Sequence, residues 1–127
     1  MRTLDETLTM IEEIEYSLSI STKGMPPAIL TEILSDRLAL LAMAPEIMEF
    51  ASWYHSKGRE DVFQEIMANP EIRKEKADNV KLFVTGRLAE RDAFYERANQ
   101  LIRSLEKNIE GVRTIISLEK ESLRLDK

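Results

Sequence analysis

An apolar repeat in the last third of the chain constrains the fold more than any other feature. Apolar residues alternate at spacings of three and four without a miss: Tyr95, Ala98, Ile102, Leu105, Ile109, Val112 and Ile116. This spacing puts all seven on one face of an α-helix, as in a coiled-coil seam. Phe94, Leu101 and Ile115 widen that face on one side. We name these ten residues the apolar stripe and expect more than one neighbouring helix to cover it.

Helix start and stop signals divide the remaining sequence. Thr3 and Glu6 match a capping box at the start of a first helix, and Gly24 is placed for the left-handed turn after its end. Pro27 suits the first position of a second helix over residues 28–43. Pro45 either kinks that helix or begins another, and Gly58 is the predicted terminator.

The 127 residues fit one all-α domain, a helical bundle with a long C-terminal coiled-coil-type helix. We divide it into acidic N-terminal helices (1–58), a linker or short helix (59–69) and a long helix region (70–125) that Asn69 and Pro70 begin. One unbroken helix there would run about 80 Å, so we expect a break near Gly86 or an intermolecular partner. The heptad register also puts Arg91 at a seam position, which predicts that the seam shifts near Gly86.

The composition excludes several chemistries. The chain has no cysteine, so disulfides, thiolate metal sites and a cysteine nucleophile are excluded. Its single histidine, His55, follows Ser52 rather than the glutamate of a helical di-metal motif, and we interpret it as a helix-end residue. Carboxylates interrupt the first helix and the apolar runs are short, so we expect no signal peptide, no membrane span and a cytoplasmic protein.

Charge is distributed unevenly along the chain. The formal net charge is −5, and residues 1–58 account for all of it, which disfavours nucleic acid as a partner because phosphate is repelled. The candidate nucleic-acid contacts lie in the second half: Arg73, Lys74, Lys76 and Lys81. Interleaved acidic residues favour a solvated, salt-bridged surface for this strip. The aromatic group Phe50, Trp53, Tyr54 and Phe63 is interpreted as core, with a partner-binding patch as the alternative.

Two pairs of carboxylates have the spacing of one helical turn: Glu46 with Glu49, and Glu75 with Asp78. The arrangement resembles the MazG-like all-α nucleotide pyrophosphohydrolases, although Pro45 stands where that family has a further glutamate. The resemblance implies that the four residues bind Mg²⁺, which prefers oxygen ligands. Without it, they are solvated carboxylates on outer helix faces, and we expect neither a catalytic residue nor a metal or other cofactor.

Residues 101–123 resemble the end helix of short phage DNA-recombination mediator proteins. Those proteins are small, helical, oligomeric and non-enzymatic, and they load a recombinase on single-stranded DNA. We therefore expect a non-enzymatic oligomerisation or interaction protein, an accessory or regulatory factor that binds itself or a partner helix through the apolar stripe. A role in DNA recombination is one version of this hypothesis. A Mg²⁺-dependent nucleotide pyrophosphohydrolase is the alternative.

Overall fold

The computed structural model describes residues 1–125, which form helices and contain no strand. The helices are α1 (Leu4–Ser19), α2 (Pro27–Leu41), α3 (Ala44–Ala68), the single-turn α4 (Pro70–Arg73) and α5 (Ala77–Leu125). The predicted all-α class is confirmed. Within the described range no helix is long and apolar enough to cross a bilayer.

Helix α5 is the spine of the bundle. Its 49 residues extend about 74 Å at 1.5 Å per residue. Helices α2 and α3 lie end to end along it: Leu30 near the start of α2 packs against Val112 and Ile116, whereas Glu65 near the end of α3 is paired with Arg87. Both helices are therefore antiparallel to α5.

Helix α1 covers the middle of this arrangement, where α2 gives way to α3. Its start lies near Phe94 of α5, and Glu15 in its last turns is paired with Arg97. The main core forms under it from buried residues of three helices: Met10, Ile11, Ile14, Ile47, Phe50, Ala51, Phe94, Ala98, Ile102, Leu105 and Ile109. The molecule thus has three helices side by side in its middle and fewer at each end.

The predicted helix starts at Thr3 and Pro27 are confirmed, whereas the first helix ends earlier than Gly24 predicts. Thr3 and Glu6 form the capping box, in which Glu6 N donates to Thr3 Oγ1 at 3.2 Å and Thr3 N donates to Glu6 Oε1 at 3.4 Å. Pro27 begins α2. Gly24 has φ +76°, but it lies in the loop after α1, which already ends at Ser19.

Two predicted boundaries are wrong. Gly58 does not end a helix, because α3 continues through it to Ala68 and no linker occupies residues 59–69. Asn69 does cap a helix at Pro70, with its side chain accepting from Glu71 N, but that helix lasts one turn. The break then falls at residues 74–76, whereas α5 runs unbroken through Gly86 and Gly111.

Arg37 is a buried cation that the sequence pattern did not predict. Its side chain is 1% exposed, and no carboxylate of the described chain pairs with it. Nη2 donates to the carbonyl oxygens of Ser17 at 2.9 Å and Ile20 at 3.2 Å, while Nη1 donates to Asn108 Oδ1. Those two carbonyls lie at the C-terminal end of α1, where the helix dipole favours a cation. Burial lowers the pKa of Arg37, yet an arginine retains its charge.

Candidate interaction surface

The chain's own helices cover most of the apolar stripe. Seven of its ten residues are buried: Phe94, Ala98, Ile102, Leu105, Ile109, Val112 and Ile116. Tyr95 and Leu101 are half-buried, and Ile115 is 39% exposed. In the main core the stripe packs against α1 and α3. Towards the end of α5 it packs against Met25 in the loop before α2 and against Leu30 and Leu34 of α2. The prediction that several helices cover the stripe is confirmed, but those helices belong to the same chain.

Exposed apolar residues concentrate where α5 extends past α2. Leu30, one turn into α2, packs against Ile116, so the last two turns of α5 lie beyond the start of α2. Three leucines there are 60% exposed or more: Leu118, Leu123 and Leu125. We name residues 117–125 the exposed end of α5. Leu118 and Leu125 are seven residues apart and share one face of α5, whereas Leu123 lies on a different face, in line with Ile116.

The exposed end of α5 also contains an unusual carboxylate. Glu119 occupies the seam position that follows Val112 in the heptad register. Its Oε2 atom is shielded from solvent and has no hydrogen-bond partner among residues 1–125. Glu119 as a whole is half-buried, so atoms of the chain itself shield this oxygen.

The opposite end of the molecule has a second set of exposed apolar residues. Phe63 and Met67 on α3 are 63% and 50% exposed, and Leu82 on α5 is 71% exposed. Phe63 and Met67 are one turn apart and lie next to each other on one face of α3. Trp53, nearer the middle of α3, is 46% exposed, whereas Phe50 is buried. The predicted aromatic core therefore holds for Phe50 and for Tyr54, which packs against the main core, but not for Trp53 or Phe63.

The candidate Mg²⁺ ligands do not come together. Glu46 and Glu49 lie in the first turns of α3, and Glu75 and Asp78 lie after its far end. The 19 residues from Glu49 to Ala68 alone extend about 28 Å. Glu46 instead accepts from Arg2 Nε at 2.9 Å, and Glu75 accepts from Asn79. No group of three or more metal-binding side chains occurs in residues 1–125. The prediction that these four residues form one Mg²⁺ site is therefore wrong for a single chain.

The candidate nucleic-acid contacts lie together at one corner of the molecule. Arg73 ends α4, Lys74 and Lys76 lie in the turn before α5, and Lys81 is in the first turns of α5. All four side chains are exposed, and within the described residues none of them forms an ion pair. Glu71, Glu75 and Asp78 share the corner. These carboxylates partly offset the positive charge of the four cations at this corner.

His55 lies inside α3 rather than at a helix end, which corrects its interpretation. Its Nε2 atom lies within hydrogen-bonding distance of Asp92 Oδ1 on α5, and its ring packs at 5.8 Å from that of Tyr95. No other protein partner reaches that carboxylate oxygen among residues 1–125. The pair links α3 to α5 beside the seam, which gives His55 a structural role between the two helices.

Comparisons with known protein families, with curated proteins and with solved structures find no match to this chain.

Proposed function

We propose that this chain is a non-enzymatic helical interaction protein that acts by binding another protein, either a second copy or a partner helix. The exposed apolar residues at the two ends of the bundle carry the proposal, above all Leu118, Leu123 and Leu125 on one helix. The apolar stripe contributes by holding α5 in place, because its buried residues fix the helix against α1, α2 and α3. An accessory or regulatory role in the cytoplasm fits a protein of this kind.

Light scattering across a range of protein concentration tests this proposal. We expect a mass above that of one chain at high micromolar concentration, because exposed leucines on a fixed helix favour association. A strictly monomeric, fully folded protein at every concentration would count against self-association. Binding would then have to be sought with a partner helix.

A role as an accessory factor in DNA recombination is a second version of the proposal. The four cations at the α4–α5 corner support it, because they are exposed and unpaired within the described residues. Phosphate contacts of this kind release counterions, so binding weakens steeply as salt rises. Since the chain carries a net charge of −5, we expect weak binding at low salt and little or none at physiological salt.

Fluorescence anisotropy with labelled single-stranded DNA distinguishes this version. Lys74→Glu combined with Lys81→Glu should abolish the low-salt binding. The matched control is Arg103→Glu with Lys107→Glu, which makes the same charge change at exposed positions in the middle of α5. Equal losses from both double variants would show that net charge, and not the corner, governs binding.

The pyrophosphohydrolase alternative lacks a metal site in the single chain. It requires Glu46, Glu49, Glu75 and Asp78 at one metal site, but Glu46 and Glu49 lie in the first turns of α3 and Glu75 and Asp78 lie beyond its last turn.

A further inference from the structure

We infer that a cleft between the loop after α1 and helix α5 binds a small monocarboxylate that carries a short hydrocarbon group. The cleft has a volume of about 460 Å³ and is lined by Thr22 of that loop and by one face of α5 from Ser104 to Ile115. This volume lies within the range of small-molecule sites. The inference goes beyond the proposed function and does not depend on it, because none of the exposed leucines at the ends of the bundle lines the cleft.

The cleft differs in charge from four other clefts of the molecule. Lys107 is its one charged lining residue, and no carboxylate among residues 1–125 forms an ion pair with it. The four other clefts each have a carboxylate in their lining: Glu90, Glu121, Glu46 and Asp61 in turn. Because a carboxylate repels an anion, the cleft at Lys107 is the one of these five that suits a negatively charged ligand.

Buried Arg37 fixes the amide group of Asn108 in the wall of the cleft. A guanidinium group only donates, so the Asn108 atom that it contacts is the carbonyl oxygen Oδ1. The Nδ2 group remains as a donor, and no protein acceptor bonds it within the described chain. The contact with Arg37 polarises the amide and makes Nδ2 a stronger donor. A ligand carboxylate at Asn108 therefore lies near two cations, Arg37 and Lys107, that have no carboxylate partner of their own.

The apolar part of the cleft lies further along the same face of α5. Gly111 is one turn beyond Asn108, and a Cβ atom there would have no atom within 4 Å. Ile115, one turn beyond Gly111, lines the cleft and is 39% exposed. A short hydrocarbon group fits against Ile115 in the space that Gly111 leaves, and this contact removes apolar surface from water. The ligand carboxylate is thus placed at Lys107 and Asn108 and its hydrocarbon group at Gly111 and Ile115.

Two-dimensional NMR of the full chain, with hexanoate as the probe, tests the site. We expect saturable shifts of the backbone amide signals of Ser104, Asn108 and Gly111. The dissociation constant should be millimolar, because so small a ligand makes few contacts. Hexanamide has the same hydrocarbon chain without the charge and should bind about 10-fold more weakly or not at all, since hydrogen bonds to charged groups are the stronger ones. N-acetyl-leucine is the second acid, because it presents the carboxylate as the C-terminal residue of a protein does.

Three substitutions separate binding from folding. Lys107→Gln should raise the dissociation constant for hexanoate about 10-fold. The matched control is Lys81→Gln, which makes the same charge change at an exposed lysine near the other end of α5 and should leave the dissociation constant unchanged. Asn108→Asp keeps an acceptor for Arg37 but replaces the donor with a carboxylate, so the melting temperature should not fall although hexanoate no longer binds. Gly111→Leu fills the cleft without removing a polar group and should also abolish binding.

The outcomes leave the proposed function standing in every case, because association through the exposed apolar residues is measured separately. Equal binding of hexanamide, the absence of saturable shifts with both acids, or unchanged hexanoate binding by Asn108→Asp would each overturn the inference. Equal weakening by Lys81→Gln would also overturn it, because net charge alone would then explain the effect. Tighter binding of N-acetyl-leucine would support the inference with a protein C-terminus as the ligand, and tighter binding of hexanoate would support it with a free acid.

Discussion

The guanidinium group of Arg91 on α5 lies over the ring of Tyr54 on α3, with its Cζ atom 4.3 Å from the ring centroid. Its Nη1 also donates to the carbonyl oxygen of Tyr54 at 2.8 Å. The stem of Arg91 passes over Gly58, where a Cβ atom would lie 2.5 Å from Arg91 Cδ. The seam therefore continues through Arg91 to the buried Leu88. On the other side of Gly86 it shifts as predicted, because Lys81 at the next seam position is exposed while Val80 and Phe83 are half-buried.

Because only Gly58 has this contact, we expect alanine substitutions at the three helical glycines to change the free energy of unfolding in different directions. Gly58→Ala should lower the free energy of unfolding, because overpacking costs roughly 1–3 kcal/mol and exceeds the roughly 0.5–1 kcal/mol that alanine gains in a helix. Gly86→Ala and Gly111→Ala should raise it by about 0.5–1 kcal/mol each, since nothing lies within 4 Å of a Cβ at either position. Urea denaturation measures all three. A stabilising Gly58→Ala would mean that Arg91 moves away freely.

Arg37 should be one of the most sensitive polar positions. Arg37→Met leaves the carbonyl oxygens of Ser17 and Ile20 and the amide of Asn108 without their donor. Each buried acceptor so stranded costs about 1–3 kcal/mol. We therefore expect a loss of at least about 2 kcal/mol in the free energy of unfolding. Arg103→Met, at an exposed arginine, should change it by less than about 0.5 kcal/mol.

The apolar stripe offers a direct test of which residues belong to the core of one chain. Ile109 is 2% exposed and Ile115 is 39% exposed. Ile109→Asp should unfold the monomer, because a buried unpaired carboxylate costs more than about 4 kcal/mol. Ile115→Asp should leave the helical circular dichroism signal intact at the same temperature. A folded Ile109→Asp monomer would show that the stripe is covered by a second chain instead.

The capping box predicts a stability effect in acid. Hydrogen bonds from Arg2 and then from Thr3 hold the pKa of Glu6 below its ordinary value. A carboxyl with a lowered native pKa stabilises the fold above its unfolded pKa, about 4.3 for a glutamate, and loses that contribution as pH falls through the native value. The stability advantage of wild type over Glu6→Gln should therefore be complete at neutral pH and shrink below about pH 4. An advantage independent of pH would assign the effect to packing.

The separated carboxylates predict indifference to magnesium. Added Mg²⁺ should not raise the melting temperature, because Glu46 and Glu49 lie far from Glu75 and Asp78 along α3. Glu49→Gln and Asp78→Asn should each change the free energy of unfolding by less than about 0.5 kcal/mol, as exposed substitutions usually do. A Mg²⁺-dependent rise abolished by either substitution would restore the hydrolase alternative.

Local signals in the sequence determined the helical class and the helix starts. The capping box at Thr3, Pro27 at the first position of α2 and Asn69 before Pro70 all act within one turn, so they can be identified from the residues themselves. The spacing of the apolar stripe likewise determined which face of α5 is buried. It could not determine what buries that face, because helices of the same chain and of another chain present the same apolar surface.

Tertiary contacts decided the rest. Gly58 is a helix terminator by its local preference, but in α3 its missing side chain accommodates Arg91. Arg37 recurs at helical spacing with Leu30 and Leu34, a signal that it faces inward, yet its burial depends on acceptors 17 to 71 residues away. Within each acidic pair the two carboxylates are one helical turn apart, as the sequence predicts. The two pairs still lie far from each other, because the length of α3 separates them. Periodicity is a property of one helix, whereas a site requires several helices to converge.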